Sequence, residues 1–266
     1  LKIINQSGEH LLELIDDILS LAQIEAGRLQ LNLLIFELNS FLEDIQTMFK
    51  LQTDTKNIWL RFEVDPNLPT PIKTDAKKLR QVLINLINNG IKFTEQGGVT
   101  VRVKFVGVEV QEKSAPADKN TQILRLQFEV EDTGVGIDPK ELDKLFQAFM
   151  QTETGIKSKQ GTGLGLAISR EFVQLMGGEM TVQSQVGQGS LFQFYIQALP
   201  GQPSEVETLP RNRKVVAIAP GQRKYKILVV DDRWSNRQLL VKLLKPLGFE
   251  VQEAENGKVA VELWES

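Results

Sequence analysis

Residues 99–110 and 123–130 each alternate apolar and polar side chains, and this pairing limits the possible folds more than any other feature of the chain. Alternation over that length is the period of a strand with one buried face. The polar loop of residues 111–122 between the two runs makes them antiparallel neighbours. They are not strands joined through a helical crossover. Around them lie helical patterns. Leu79, Val82, Leu83, Leu86, Ile87 and Ile91 recur at 3- and 4-residue spacing within residues 75–93, and shorter runs of the same kind cover 40–51, 139–146 and 163–176. Further strands are predicted at 29–38, 59–64, 180–183 and 190–198, the last two around the turn Gly187-Gln188-Gly189. Pro66, Pro69 and Pro71 break the chain after the strand at 59–64. Helices mixed with antiparallel hairpins imply an α+β layer and not a doubly wound sheet.

The ends read differently. In residues 1–27 the apolar positions Ile4, Leu11, Leu14, Ile15, Ile18, Leu21 and Ala22 follow a helical spacing that Leu12 and Leu19 widen, and Gly27 stands where a helix stops. Such a helix needs partners on more than one side. Residues 200–224 hold four of the ten prolines and carry no amphipathic pattern, which is the composition of a linker. Residues 225–266 open as a buried strand, 226–230, ending in Asp231-Asp232. A leucine-rich helix, a strand at 250–253, the turn Asn256-Gly257 and the start of another helix follow, a truncated βαβα unit. Beginning at Leu1 and stopping within a helical run, the 266 residues read as a piece of something longer.

Composition removes several classes of chemistry. No cysteine is present, so disulfides, thiolate metal sites and a catalytic thiol are excluded. His10 is the only histidine, which excludes a multi-histidine metal site. A net charge of −3 gives no broad basic surface, so no direct nucleic-acid partner is expected. No run reaches the roughly 18 apolar residues that cross a bilayer, and no cleavable signal is visible.

Three constellations could carry chemistry. Asp132-Thr133-Gly134-Val135-Gly136 closes a strand, where two glycines admit a ligand closely and an ionised Asp132 can accept from an exocyclic amine. Alone, it is equally a hairpin turn with a surface aspartate. On the helix 75–93, Asn85 and Asn89 are i and i+4, so both amides share one face, with Lys92 three residues on. Amide oxygens suit Mg²⁺ held mainly by phosphates and water, although a solvated polar face is the plainer alternative. Three asparagines among Asn85, Asn88 and Asn89 are poor helix formers, which favours function. Gly161-Thr162-Gly163-Leu164-Gly165 opens a helix in a phosphate-compatible way. It is neither a Walker A loop nor a dinucleotide fingerprint, and by itself it could be a flexible surface loop.

Taken in order, Asn85…Lys92-Phe93, Asp132-x-Gly134-x-Gly136, Phe146…Phe149 and Gly161-x-Gly163-x-Gly165 resemble the N, G1, F and G2 boxes of sensor histidine kinases. Gly187-Gln188-Gly189-Ser190 is similar to that family's last glycine box. The resemblance covers residues 1–199. Residues 225–266 resemble the first part of a receiver domain, which points to a hybrid kinase. The implied fold is the two-layer α/β ATP-binding sandwich, with a mixed sheet, shared with gyrase and the heat-shock chaperone ATPases. The implied domains are 1–27, the second helix of a dimerisation and phosphoacceptor hairpin; 28–199, the catalytic ATP-binding domain; 200–224, the linker; and 225–266, the receiver start.

The resemblance assigns roles residue by residue, with ATP and Mg²⁺ as cofactors. Asp132 would bind the adenine amino group, with Gly134 and Gly136 admitting it. Asn89, assisted by Asn85, would hold Mg²⁺, Lys92 would contact phosphate, and Phe93 would pack near the nucleotide. Phe146 and Phe149 would anchor a lid of residues 151–163, and Gly161, Gly163, Leu164 and Gly165 would lie beside the phosphates. Asp231 and Asp232 match the acidic Mg²⁺ pair of a receiver whose later strands are missing. Two departures stand out. Gly90 replaces the usual alanine and should loosen its helix by up to about 1 kcal/mol. His10 lacks the acidic neighbour of a phosphoacceptor and reads as a structural histidine on the hairpin's second helix.

The implied activity is transfer of the ATP γ-phosphoryl group to a histidine outside these residues. The implied setting is cytoplasmic, with a second copy of the chain and a receiver domain or response regulator as partners. The full-length protein could still be membrane-anchored. An anti-sigma serine kinase of the same superfamily and a non-catalytic nucleotide-sensing or docking module remain as rivals.

Overall fold

Asp75 starts the helix around which the fold is organised. In a computed structural model, which describes residues 15, 18–24, 26–111, 121–150, 162–202, 204 and 225–264, its carboxylate accepts from the N–H groups of Lys77 at 3.1 Å and Lys78 at 3.0 Å. Those donors would otherwise lack partners in the first helical turn. The chain divides into two units, Leu1–Leu209 and Pro210–Ser266.

In the first unit, β1 (Leu34–Phe36) leads to α1 (Leu38–Lys56), β2 (Trp59–Val64), β3 (Ile72–Thr74) and α2 (Ala76–Phe93). The long strands β4 (Gly98–Gln111) and β5 (Thr121–Asp132) follow, then a single turn α3 (Pro139–Leu142), α4 (Gly165–Leu175), β6 (Met180–Gln185) and β7 (Gly189–Pro200). The seven strands form one sheet, six of them in the order β1-β3-β7-β5-β4-β2 and β6 paired with β7 off this path. One edge of β7 is shared, by β6 along residues 189–194 and by β3 at Leu199 and Pro200. β2 runs parallel to β4, and the other pairs are antiparallel, so the sheet is mixed as expected.

Alternation places Val99, Val101 and Val103 of β4 and Leu126, Phe128 and Val130 of β5 on one face, buried under the helices. From α2, Leu79, Val82, Leu83, Leu86 and Ile87 meet that face. Phe128 and Phe194, paired across β5 and β7, stack with centroids 5.0 Å apart. The opposite face carries charge, including Arg102 paired with Glu63 at 2.8 Å and Glu131 at 2.6 Å. Near the N-terminus, Leu21 and Ile24 pack against the core, while Ile15, Ile18 and Leu19 are about half exposed.

Three elements differ from expectation. β3 was not predicted, because three residues between Pro71 and Asp75 carry no readable period. The strand predicted over 29–38 contracts to β1. The helix predicted over 139–146 ends at Leu142, beyond which Lys144, Leu145 and Gln147 each donate to the carbonyl three residues back. That is the tighter winding of a 3₁₀ turn.

In the second unit, β8 (Lys226–Val230) pairs in parallel with β9 (Glu250–Ala254), with α5 (Trp234–Leu244), a short 3₁₀ turn and α6 (Gly257–Trp264) beside them. Trp234, Leu239, Leu243 and Trp264 are exposed. Among the described residues, no helix is long and apolar enough to cross a membrane.

Candidate functional site

Both ends of α2 are held. At its start, Asp75 is 1% exposed and also accepts from Asn32 N–H at 2.9 Å and Lys78 Nζ at 2.8 Å. Burial alone would raise this carboxyl, but the Lys78 ammonium and the surrounding N–H donors outweigh it and hold the group below its ordinary value. At the other end, Lys56 of α1 donates to the carbonyls of Ile91 and Lys92, which the last helical turn leaves unpaired.

Between those anchors the i, i+4 spacing does bring the two amides together. Asn89 Nδ2 lies 3.4 Å from Asn85 Oδ1, and Asn85 Nδ2 donates to Ser169 Oγ of α4 at 2.9 Å. Gly165, the first residue of α4, faces the same amide: a Cβ there would stand 2.5 Å from Asn85 Oδ1. The N-terminal turn of α4 has no side-chain cap, since Leu164 is the N-cap residue. Leu164 itself is fully buried in the core, and its N–H is taken by Thr162 Oγ1 at 3.0 Å.

Asp132 ends β5 against the same helix. It is 8% exposed, and its Oδ1 accepts from Gly134 N–H at 2.8 Å. Burial pushes the carboxyl above its ordinary value, and the neighbouring Glu131 adds to this. The N–H groups of Gly134 and Ser190 and the Ser190 hydroxyl pull in the opposite direction. Gly90 lets α2 come this close, because a Cβ on it would lie 2.9 Å from Val99 Cγ2 and 3.4 Å from Asp132 Cβ. The glycine read as a loosening of the helix thus lets it pack directly on Val99 and Asp132. Gly134 packs under the carbonyl of Phe93, and Gly136 adopts φ 68° with no room for a side chain beside Gln185 O.

Lys92 lies at the end of the amide-bearing helix, its Nζ 4.6 Å from the Phe93 ring centroid, and burial lowers its pKa. Phe146 packs against the core under the Arg170 guanidinium. Phe149, by contrast, is 65% exposed with φ 64°, and its N–H donates to Gly163 O at 3.0 Å. The two ends of the expected lid are therefore joined by backbone. Residues 151–161, Gly161 among them, lie outside the described residues, as does His10. In the second unit, Asp231 accepts from Arg233 N–H at 2.8 Å and Asn236 Nδ2 at 3.2 Å, and Asp232 is exposed.

Two partnerships at the site escaped sequence reasoning, although Ser190 itself closes the last glycine box. Ser190 is the strand partner of Asp132 and lies 3.0 Å from Ser184 Oγ. Only the pairing register reveals it. Ser169 did leave a signal, being a hydroxyl on the buried stripe of α4 beside Ile168 and Phe172.

Residues 74–200 match the family model described as histidine kinase-, DNA gyrase B-, and HSP90-like ATPase. The chain is similar to the aerobic respiration control sensor protein ArcB of Escherichia coli (strain K12), at 37% identity over 99% of this chain and 32% of that protein. It is similar also to the circadian input-output histidine kinase CikA of Synechococcus elongatus, at 36% identity over 98% of this chain and 32% of that protein. Among solved structures, full-length ShkA in complex with AMPPNP aligns with a TM-score of 0.59 and 26% identity, covering 98% of this chain and 49% of that one. The chain spans about a third of the length of these curated relatives.

Proposed function

We propose that this chain, whose residues 74–200 match the histidine kinase-, DNA gyrase B- and HSP90-like ATPase model, is the ATP-binding catalytic part of a hybrid sensor histidine kinase. The observation that carries the reading is the buried Asp132 carboxylate set against the helix that bears Asn85, Asn89 and Lys92. A buried acceptor with glycine-lined access suits an adenine amine, which a solvated surface aspartate would not select. The uncapped N-terminus of α4 and the Lys92 ammonium supply positive potential for phosphates.

The donor set fits Mg²⁺ arriving with the nucleotide. Asn85 and Asn89 offer neutral amide oxygens, and among the described residues no three acidic or histidine side chains converge to cage a free cation. Mg²⁺ held there would offset phosphate charge during transfer. The chain's own residues bind the base through Asp132, orient the phosphates through Lys92 and α4, and keep the amides in register. In the reaction the bond between the γ-phosphorus and the β,γ-bridging oxygen breaks and ADP leaves with that electron pair. A nitrogen–phosphorus bond forms at an imidazole supplied from outside the described residues. We place this chemistry on the cytoplasmic side, whatever membrane segments the full protein has. The segment 1–27 would mediate pairing with a second copy, and residues 225–266 would begin a receiver in which Asp231 and Asp232 form the acidic pair.

Incubation with γ-labelled ATP tests the proposal. The chain alone should stay unlabelled, an added dimerisation hairpin with its own acceptor histidine should gain acid-labile label, and Asn89→Ala should abolish that transfer. Nucleotide binding without labelling of any cognate hairpin would favour a non-catalytic module, and label on serine would favour the serine-kinase reading.

A further inference from the structure

We propose that Ser169 is a positioning residue that holds the Asn85–Asn89 pair in the arrangement that leaves an amide oxygen for the metal. An amide side chain is two-faced: its oxygen accepts and its nitrogen donates, and only the oxygen can meet a cation. Which way it points must be decided by its neighbours. Ser169, 2% exposed on α4, accepts from Asn85 Nδ2 at 2.9 Å. That contact turns Asn85 Oδ1 to the other side, where Asn89 Nδ2 approaches at 3.4 Å. With its nitrogen so occupied, Asn89 keeps Oδ1 as the atom left for a cation. The order runs from hydroxyl to amide to amide, and its last member is an oxygen.

Gly165 completes the grip. It lies one helical turn before Ser169, on the same face of α4. Its missing Cβ leaves the space that Asn85 Oδ1 fills, since an added Cβ would stand 2.5 Å away. Asn85 is therefore held at two points by the helix that opens at the glycine-rich loop. Without Ser169 the Asn85 Nδ2 group loses its partner on α4, and the amide is freer to turn. A rotated amide pair would present N–H groups to a cation. Partners of this kind behind a metal ligand typically govern affinity by about 10- to 100-fold.

The inference rests on the nucleotide reading above, and the experiment separates the two. ADP and a non-hydrolysable ATP analogue are titrated into the full chain by calorimetry, with and without Mg²⁺. In the parent, Mg²⁺ should strengthen binding of the ATP analogue. Ser169→Ala should leave Mg²⁺-free affinity for ADP unchanged and cut the Mg²⁺ enhancement about tenfold or more. Ser169→Thr, which keeps the hydroxyl, should restore it. Gly165→Ala, which crowds Asn85 while leaving Ser169 intact, should reproduce the loss, so the test survives should Ser169→Ala fail to fold. In the nucleotide-free chain, the Asn85 side-chain amide protons should exchange faster in Ser169→Ala. An unchanged Mg²⁺ enhancement in either alanine variant would overturn the proposal. So would an equal loss of Mg²⁺-free affinity in Ser169→Ala, the mark of a merely structural role. A parent whose affinity ignores Mg²⁺ altogether would overturn the nucleotide reading and the relay with it.

Discussion

Asp132→Asn separates binding from stability and predicts opposite signs for the two. The wild-type carboxylate offers only acceptors, and the fold supplies donors to match them: Gly134 N–H at 2.8 Å on Oδ1, with the N–H and hydroxyl of Ser190 also directed at the group. An asparagine keeps one oxygen, which satisfies Gly134, and turns an NH₂ group toward Ser190 and toward the base. A donor would then meet a donor. A mispaired buried group costs about 1–3 kcal/mol, so nucleotide affinity should fall roughly 5- to 150-fold. Stability in the absence of nucleotide should move the other way with pH. Burial first, and then Glu131, hold the folded pKa above the ordinary 3.8. The unfolded chain therefore gives up this proton at lower pH than the folded one. Between those two values the parent loses stability as pH rises, and above the folded value the penalty persists. Asparagine has no such slope. Calorimetric titration of ADP measures the first effect, and thermal melts of both proteins from about pH 4 to pH 8 measure the second. Equal affinities would refute the assignment of Asp132 to the base. A melting-temperature difference between variant and parent that fails to grow as pH rises would refute the claim that the buried charge is a cost to the fold.

Asp75→Ala should destabilise the domain by about 2 kcal/mol, through loss of the helix cap and of the Lys78 pair, as read from denaturant midpoints. Because the folded Asp75 pKa lies below its ordinary value, its contribution is present above that ordinary value and is lost as pH falls through the folded one, so Asp75→Asn should lose less stability than the parent on acidification. Gly90→Ala gains about 1 kcal/mol of helix propensity against an overpacking cost of about 1–3 kcal/mol where its Cβ meets Val99. The net result should be a lower melting temperature, recovered by adding Val99→Ala; a rise in the single variant would contradict the packing argument. Sedimentation should show concentration-dependent association through the half-exposed Ile15, Ile18 and Leu19, which Ile18→Glu weakens, whereas a strict monomer at high concentration would rule out pairing by this face.

What the sequence disclosed follows the reach of its periodicities. Val99, Val101 and Val103 announce a strand face because alternation is local, yet nothing local reveals that β2 pairs with β4 in parallel. The turn before Ser190 is likewise readable, while its position opposite Asp132 exists only once β5 and β7 have found their register, 58 residues apart by number. The candidate site divides in the same way. Asn85 and Asn89 share a face by helical geometry alone, so the amide pair is legible within one turn of helix. The hydroxyl that orients them comes from Ser169, 84 residues along the chain, and packing of α4 on α2 is what delivers it. Gly165 carries the same lesson at a single position. Read locally, a glycine at the mouth of a helix is a hinge or a phosphate contact; in the fold its missing side chain is the room that the Asn85 amide occupies. A residue type chosen for the space it leaves to a distant neighbour has no signature in its own segment. Such positions become visible only where a local rule is broken without local benefit, as by a buried serine on an apolar helix stripe or a glycine within a helix.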